Sequence, residues 1–151
     1  MTERSRQLQA GVSLIEVLVA LFVLAFGMLG IAGMQTMAMK ANQSAYERNS
    51  AVISASSIAE RMRTNQLVAR SGGYNRAFPE EGCAAVPEGS SAAEADIKGW
   101  QTELERNLGD AACGAISCTG TPTTCKISIR WDDSRVTNGS VAHTFEVDVR
   151  I

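Results

Sequence analysis

The sequence lacks an excess of charge of either sign. Lys and Arg number 14 against 16 Asp and Glu, a formal net charge of -2. Nucleic-acid backbones are held by basic stripes, so this balance removes the electrostatic case for a nucleic-acid partner. Aromatic residues are 5% of the chain, too few for the stacking platforms that hold single strands. One histidine is present, His143, in an alternating run that reads as strand. No nucleophile–base pair stands out, and the reading is not an enzyme. No CxxC pair occurs among the cysteines, so the ligand spacing of a zinc site is missing. Asp110, Asp132 and Asp133 lack the regular acidic spacing of a calcium loop and read as turn residues. Neither cofactor nor metal is expected. No proline precedes Pro79, so nothing of that kind interrupts a helix in the first half of the chain.

What is present is distributed unevenly. From Val12 to Met39, 28 positions hold one ionisable residue, Glu16. Crossing a bilayer takes roughly 20 apolar residues as helix, and helix is required because lipid leaves free backbone groups unsatisfied. A cleavable secretory signal has an apolar core of about 7–15 residues ending at a small-residue site. This run is nearly twice as long, and no such site follows it. Arg4 and Arg6 flank it on the N-terminal side, which places the N-terminus in the cytoplasm and exports the rest. The expected organisation is a leader at 1–11, a membrane-spanning helix at 12–39, an amphipathic continuation at 40–68 and a small exported head at 69–151.

Glu16 is the informative residue. A carboxylate near the centre of a membrane helix costs about 2.5–3.5 kcal/mol, less near an end, and such residues are usually paired and functional. A cut after Gly11 would create an amine on Val12. Amine and carboxylate at matching depth on neighbouring subunits would then neutralise each other. Gly27, Gly30 and Gly33 recur every third residue, a spacing that lets helices approach closely but is also common in any membrane helix.

Beyond Lys40, Ala45, Val52, Ala55, Ala59 and Met62 form one apolar stripe, with Glu47, Arg48, Glu60, Arg61 and Arg63 opposite. This predicts one continuous helix from Val12 to about Leu67. Residues 69–95 carry loop signals. Ile97, Trp100, Leu104 and Leu108 mark a second helix with Trp100 in the core, ended by Gly109. Residues 110–125 read as a cysteine-rich loop. Strands are expected at 125–131 and 141–151, joined through Asp132-Asp133 and Asn138-Gly139 as an antiparallel hairpin. A lone hairpin is marginal, so its apolar face should lie on the amphipathic helix. The fold class is α+β. Cys83, Cys113, Cys118 and Cys125 all follow the membrane segment, as disulfides in an oxidising compartment would. Three pairings are open. The compact loop that Cys118–Cys125 would close leans towards that pair together with Cys83–Cys113.

The run Gly11-Val12-Ser13-Leu14-Ile15-Glu16 resembles the class III signal of type IV prepilins. The resemblance implies cleavage after Gly11 by the prepilin peptidase, N-methylation of Val12, and Glu16 as the assembly carboxylate. Val12 departs from the more usual phenylalanine, and Gly33 stands where many pilins carry a helix proline. Asn42-Gln43-Ser44-Ala45-Tyr46 and Ser57 to Asn65 are similar to a stretch of the type IV pilus modification protein V family of minor pilins. That resemblance implies a type IV pilin-like fold, with a long N-terminal helix packed on a small C-terminal antiparallel sheet. The implied role is priming of pilus assembly near the filament tip, in support of adhesion and twitching motility. The implied partners are other minor pilins, the major pilin, the inner-membrane assembly platform and a tip adhesin. The protein would lie in the inner membrane before assembly and at the cell surface after it. A minor pseudopilin of a type II secretion system shares the same N-terminal logic. A signal-anchored periplasmic binding module is the alternative of another class.

Overall fold

The computed structural model of the chain describes residues 11–79, 82–134 and 139–151. By compactness it divides into a unit ending at Ala38 and a unit from Met39 to Ile151. Six elements follow in order: α1 (Leu14–Thr64), α2 (Gln66–Arg70), α3 (Ala92–Leu108), β1 (Cys113–Thr119), β2 (Thr124–Trp131) and β3 (His143–Arg150).

In the first unit, the part of α1 up to Ala38 is exposed on every face. The second unit contains the core. Its stripe on α1 is Glu47, Ser50, Ala51, Ser54, Ala55, Ile58, Ala59 and Met62. This corrects the phase expected from apolar residues alone: Ala45 and Val52 are exposed and Glu47 is buried. The shift has a physical reason. Trp131 Nε1 donates to Glu47 Oε2 at 3.1 Å and Gln43 Nε2 donates to Oε1 at 2.7 Å, so the carboxylate enters the interior with its bonds satisfied.

The helix is also shorter than expected. α1 ends at Thr64, and Asn65 leaves helical geometry at φ -122°, ψ 50° before α2 begins. Asn65 Nδ2 donates to the hydroxyl of Tyr74 at 3.3 Å, and that hydroxyl donates to Asp96 Oδ2 at 2.7 Å. Burial and the bond to Asp96 push the Tyr74 hydroxyl above its ordinary value of 10.0. Residues 57–65 thus anchor α3. Arg61 lies 4.0 Å from Asp96 and 3.6 Å from Glu103, and Ser57 Oγ donates to Glu103 at 3.3 Å.

α3 opens on a capping box in which the Ser91 hydroxyl accepts from Glu94 N–H and the Glu94 carboxylate accepts from Ser91 N–H. The two bonds satisfy helix-end groups; the Ser91 hydroxyl, which also donates to Glu94 Oε2 at 2.6 Å, and then the Ser91 N–H hold the Glu94 carboxyl below its ordinary value. Ile97, Trp100, Leu104 and Leu108 face the core. Gly109 closes the helix at φ 98°.

The sheet is antiparallel in the order β1-β2-β3. β1 corrects the expected cysteine-rich loop, because Gly114, Ile116 and Cys118 alternate inward as a strand requires. Ile127, Ile129 and Trp131 of β2 are buried, and Phe145, Val147 and Val149 of β3 pack against the same core. Of the expected hairpin turn, Asn138 lies outside the described residues; Asp133 N–H donates to Ser140 O at 2.9 Å. The second half of the long helix on a small antiparallel sheet is an α+β, type IV pilin-like arrangement.

Candidate functional site

The N-terminal site is built on the first turn of α1. Ser13 O accepts from the N–H groups of Glu16 and Val17 at 3.0 and 3.3 Å. Gly11 and Val12 precede the helix and are exposed, Val12 by 71%. Arg4, Arg6 and the rest of the leader up to Ala10 lie outside the described residues.

Glu16 stands one turn inside the helix, where the positive end of the helix dipole favours a carboxylate. It faces a shallow concavity of about 280 Å³ walled by Val12, Val17, Ala20, Leu21 and Leu24. Among the described residues no ion pair or hydrogen bond engages its side chain. Beyond it, the most apolar 18-residue window of α1 has a mean hydropathy of 2.6 and no buried residue. This helix is long and apolar enough to cross a membrane. Where Cβ atoms would stand on Gly27, Gly30 and Gly33, nothing lies within 4 Å. Among the described residues no neighbour would meet a side chain there.

The cysteines lie in the other unit. Cys83 is joined to Cys113 and Cys118 to Cys125, the two pairs towards which the loop length leans. The first ties the irregular segment before α3 to the start of β1; the second joins β1 to β2 at directly facing positions. Among the described residues no group of three or more His, Cys, Asp or Glu is placed to hold a metal.

Two features escape sequence reasoning. Glu47 is a buried acceptor for Trp131, a relation across 84 residues that no local pattern contains. Arg76 is half-buried: Nη2 donates to Ala84 O at 3.0 Å, its N–H and C=O pair with Ile116, and burial pushes its guanidinium below its ordinary value. The only local signal near it is the turn-forming run Gly72-Gly73-Tyr74-Asn75.

The prokaryotic N-terminal methylation motif matches residues 6–32. The match spans Gly11, Val12 and Glu16 and reaches well into the exposed apolar part of α1. No curated protein and no solved structure matches the chain. The motif supports a pilin-like or pseudopilin-like protein anchored in a membrane, and points to a structural rather than an enzymatic role.

Proposed function

We propose that this chain is a minor pilin that helps to prime type IV pilus assembly, with its place near the filament tip. The observation that carries the reading is the methylation motif, with one carboxylate in an otherwise uncharged and fully exposed helical run. In this reading the work of the protein is helix packing. Processing after Gly11 leaves an amine on Val12, which meets Glu16 of a neighbouring subunit. At about 4 Å and an effective dielectric near 20, such a pair gains roughly 4 kcal/mol. On insertion scales a carboxylate at the centre of a membrane helix costs about 2.5–3.5 kcal/mol, less near an end, so the pair works against a cost of the same order.

The partners in this reading are other minor pilins, the major pilin, the prepilin peptidase, the inner-membrane assembly platform and a tip adhesin. The test is the intact mass and N-terminal sequence of the protein recovered from membranes. A chain beginning at Val12 and heavier by one methyl group supports the reading; one still beginning at Met1 in peptidase-competent cells overturns it. Glu16→Ala is expected to abolish incorporation into surface pili while leaving processing intact. A minor pseudopilin shares the motif, and deletion separates the two: lost twitching for a pilin, lost protein secretion for a pseudopilin.

A further inference from the structure

A hollow lies on the face of the sheet turned away from the core. Strand alternation sends Ile116, Ile127 and Ile129 inward, so Ala115, Ser117, Lys126 and Ser128 lie on the opposite face. Ser117 stands directly opposite Lys126, and Ala115 opposite Ser128. Three of these four side chains are small, which leaves room that longer ones would fill. The segment around Arg76 supplies the remaining wall. Ile116 exchanges both backbone bonds with Arg76 at 2.8 Å and so directs its backbone groups away from β2. Asn75 Oδ1 accepts from Cys118 N–H at 2.8 Å. Between Asn75, Arg76 and Ala77 on one side and the sheet residues on the other, the hollow measures about 330 Å³. Pockets that hold small molecules begin at about 300 Å³.

The wall is rich in donors and has little left to accept with. Asn75 commits its side-chain oxygen to Cys118, leaving its amide nitrogen as a donor. The Lys126 ammonium gives one bond to Glu146, at 3.4 Å, and keeps two further N–H groups. Ser128 also donates to Glu146, at 3.1 Å, so that carboxylate is engaged twice from the same face. The Ser117 hydroxyl is exposed and makes no bond among the described residues. Arg76 sets the sign of the site. Its Nη2 is held by Ala84 O at 3.0 Å, while Nε and Nη1 are shut off from solvent and have no partner. No carboxylate pairs with it among the described residues, and burial is what acts on its guanidinium. Arginine does not shed its proton to relieve such burial, and a charge withdrawn from water without a partner is costly.

We propose that this hollow binds a singly charged carboxylate, with Asn75, Ser117 and Lys126 as donors and the Arg76 charge behind them. The charge count selects a monoanion. Among the wall residues Lys126 is balanced by Glu146, which leaves Arg76 as the uncompensated charge. Glu146 and Asp148 stand on β3, beyond Lys126, and neither lines the hollow. The carboxylate therefore belongs on the β1 side, towards Arg76. A dianion such as phosphate would carry a second negative charge for which the wall holds no match, with two β3 carboxylates nearby. Ala77 and Ala115 give the hollow an apolar side, which suits the carbon chain that a carboxylate brings with it. A guanidinium with little water around it is also weakly screened, so its charge reaches the bound anion. The inference is independent of the N-terminal motif and of the pilin reading.

The test is an NMR titration of the isotope-labelled full chain in neutral detergent micelles, with acetate replacing chloride at constant ionic strength. Saturable shifts are expected at the amides of Asn75, Arg76, Ser117 and Lys126. Ser117→Ala removes an exposed donor that the fold does not use and should weaken binding about tenfold. Arg76→Gln should abolish the shifts. If that variant loses its bridge to Ile116, Ser117→Ala decides the matter. An N-acetylated dialanine with a free carboxylate then separates the sources of the ligand. Tighter binding than acetate marks a protein C-terminus as the occupant, and equal binding marks a small free acid; both support the proposal. Absent shifts, unchanged affinity in Ser117→Ala, equal binding of the dialanine carboxamide, or tighter binding of phosphate than of acetate would overturn it.

Discussion

A methyl group added at Gly114 has nowhere to go. Built on the β1 backbone, it overlaps Cη2 and Cζ3 of Trp100 and sits 3.0 Å from Leu104 Cδ1. The indole cannot easily retreat. It is fully buried, and its Nε1 donates to Ser54 O at 2.9 Å. Gly114→Ala must therefore tilt Trp100 off that bond or bend β1. Overpacking of this kind costs about 1–3 kcal/mol, and a value near the middle, about 2 kcal/mol, is expected. For a folded unit of roughly 110 residues, about 4 °C accompanies each kcal/mol, so the unfolding midpoint should fall by about 8 °C. Trp100→Leu removes the two ring atoms that the methyl meets. In that background Gly114→Ala should cost less than about 0.5 kcal/mol, leaving a coupling of about 1.5 kcal/mol. The assay is thermal unfolding of the full chain in detergent, disulfides intact, followed by tryptophan fluorescence. Trp100 and Trp131 are both buried in the second unit, and Trp131, present in both backgrounds, reports it even where α1 stays helical in the micelle. Equal costs in the two backgrounds, or no cost in the first, would refute the packing argument.

Replacing each disulfide by a pair of alanines should separate the two by loop length. The spans of 30 and 7 residues give about 3.6 kcal/mol for Cys83–Cys113 and about 2.4 kcal/mol for Cys118–Cys125 by loop entropy. Denaturant unfolding of the two variants checks this, and the reverse order would count against the loop argument. Tyr74→Phe keeps the ring but removes its bonds to Asp96 and Asn65, an expected loss of about 1–2 kcal/mol. Because the folded Tyr74 hydroxyl is raised above 10.0, the native state binds that proton more tightly than the unfolded chain does. Its contribution is complete below pH 10 and is lost as pH rises through the folded value. Unfolding midpoints measured across about pH 9–11 should decline less in Tyr74→Phe than in the parent, and identical slopes would contradict the assignment.

The N-terminal part of the chain was readable because its determinants are local. An uncharged run of membrane length, one carboxylate and a glycine before it all lie within about thirty residues of one another. The second half of α1 was harder, since its burial is decided by distant partners. Charge puts Glu47 on the solvent face, and it is Trp131, far along the chain, that meets it in the interior, with Gln43 holding the other oxygen. Ser50 and Ser54 occupy the buried stripe because small side chains admit close packing, yet in sequence they read as polar. Asn65 breaks the helix while bonded to Tyr74, a contact that helix propensity does not contain. β1 is hidden in the sequence because cysteine serves there both as crosslink and as apolar residue: Cys118 is one of its inward-facing side chains.

The crosslink in β1 bears directly on the register of β3. Cys118 and Cys125 face each other with Cα atoms 3.9 Å apart, the close spacing expected where a cross-strand pair lacks ladder bonds. A slip of one residue between β1 and β2 would pull these positions apart and turn Ile116 or Ile127 towards solvent, because side chains alternate with period two. The covalent bond and the apolar face thus enforce the same register. That register fixes the parity of β2, and β2 fixes which residues of β3 bond inward. Thr144, Glu146, Asp148 and Arg150 consequently turn their backbone groups away from β2. If the register were loose, the outward groups would alternate between Val147 and its charged neighbours, and Val147 would lose its place opposite Ile127. Reduction of Cys118–Cys125 should therefore loosen this register, read as faster hydrogen exchange at Phe145, Val147 and Val149, before it unfolds the sheet.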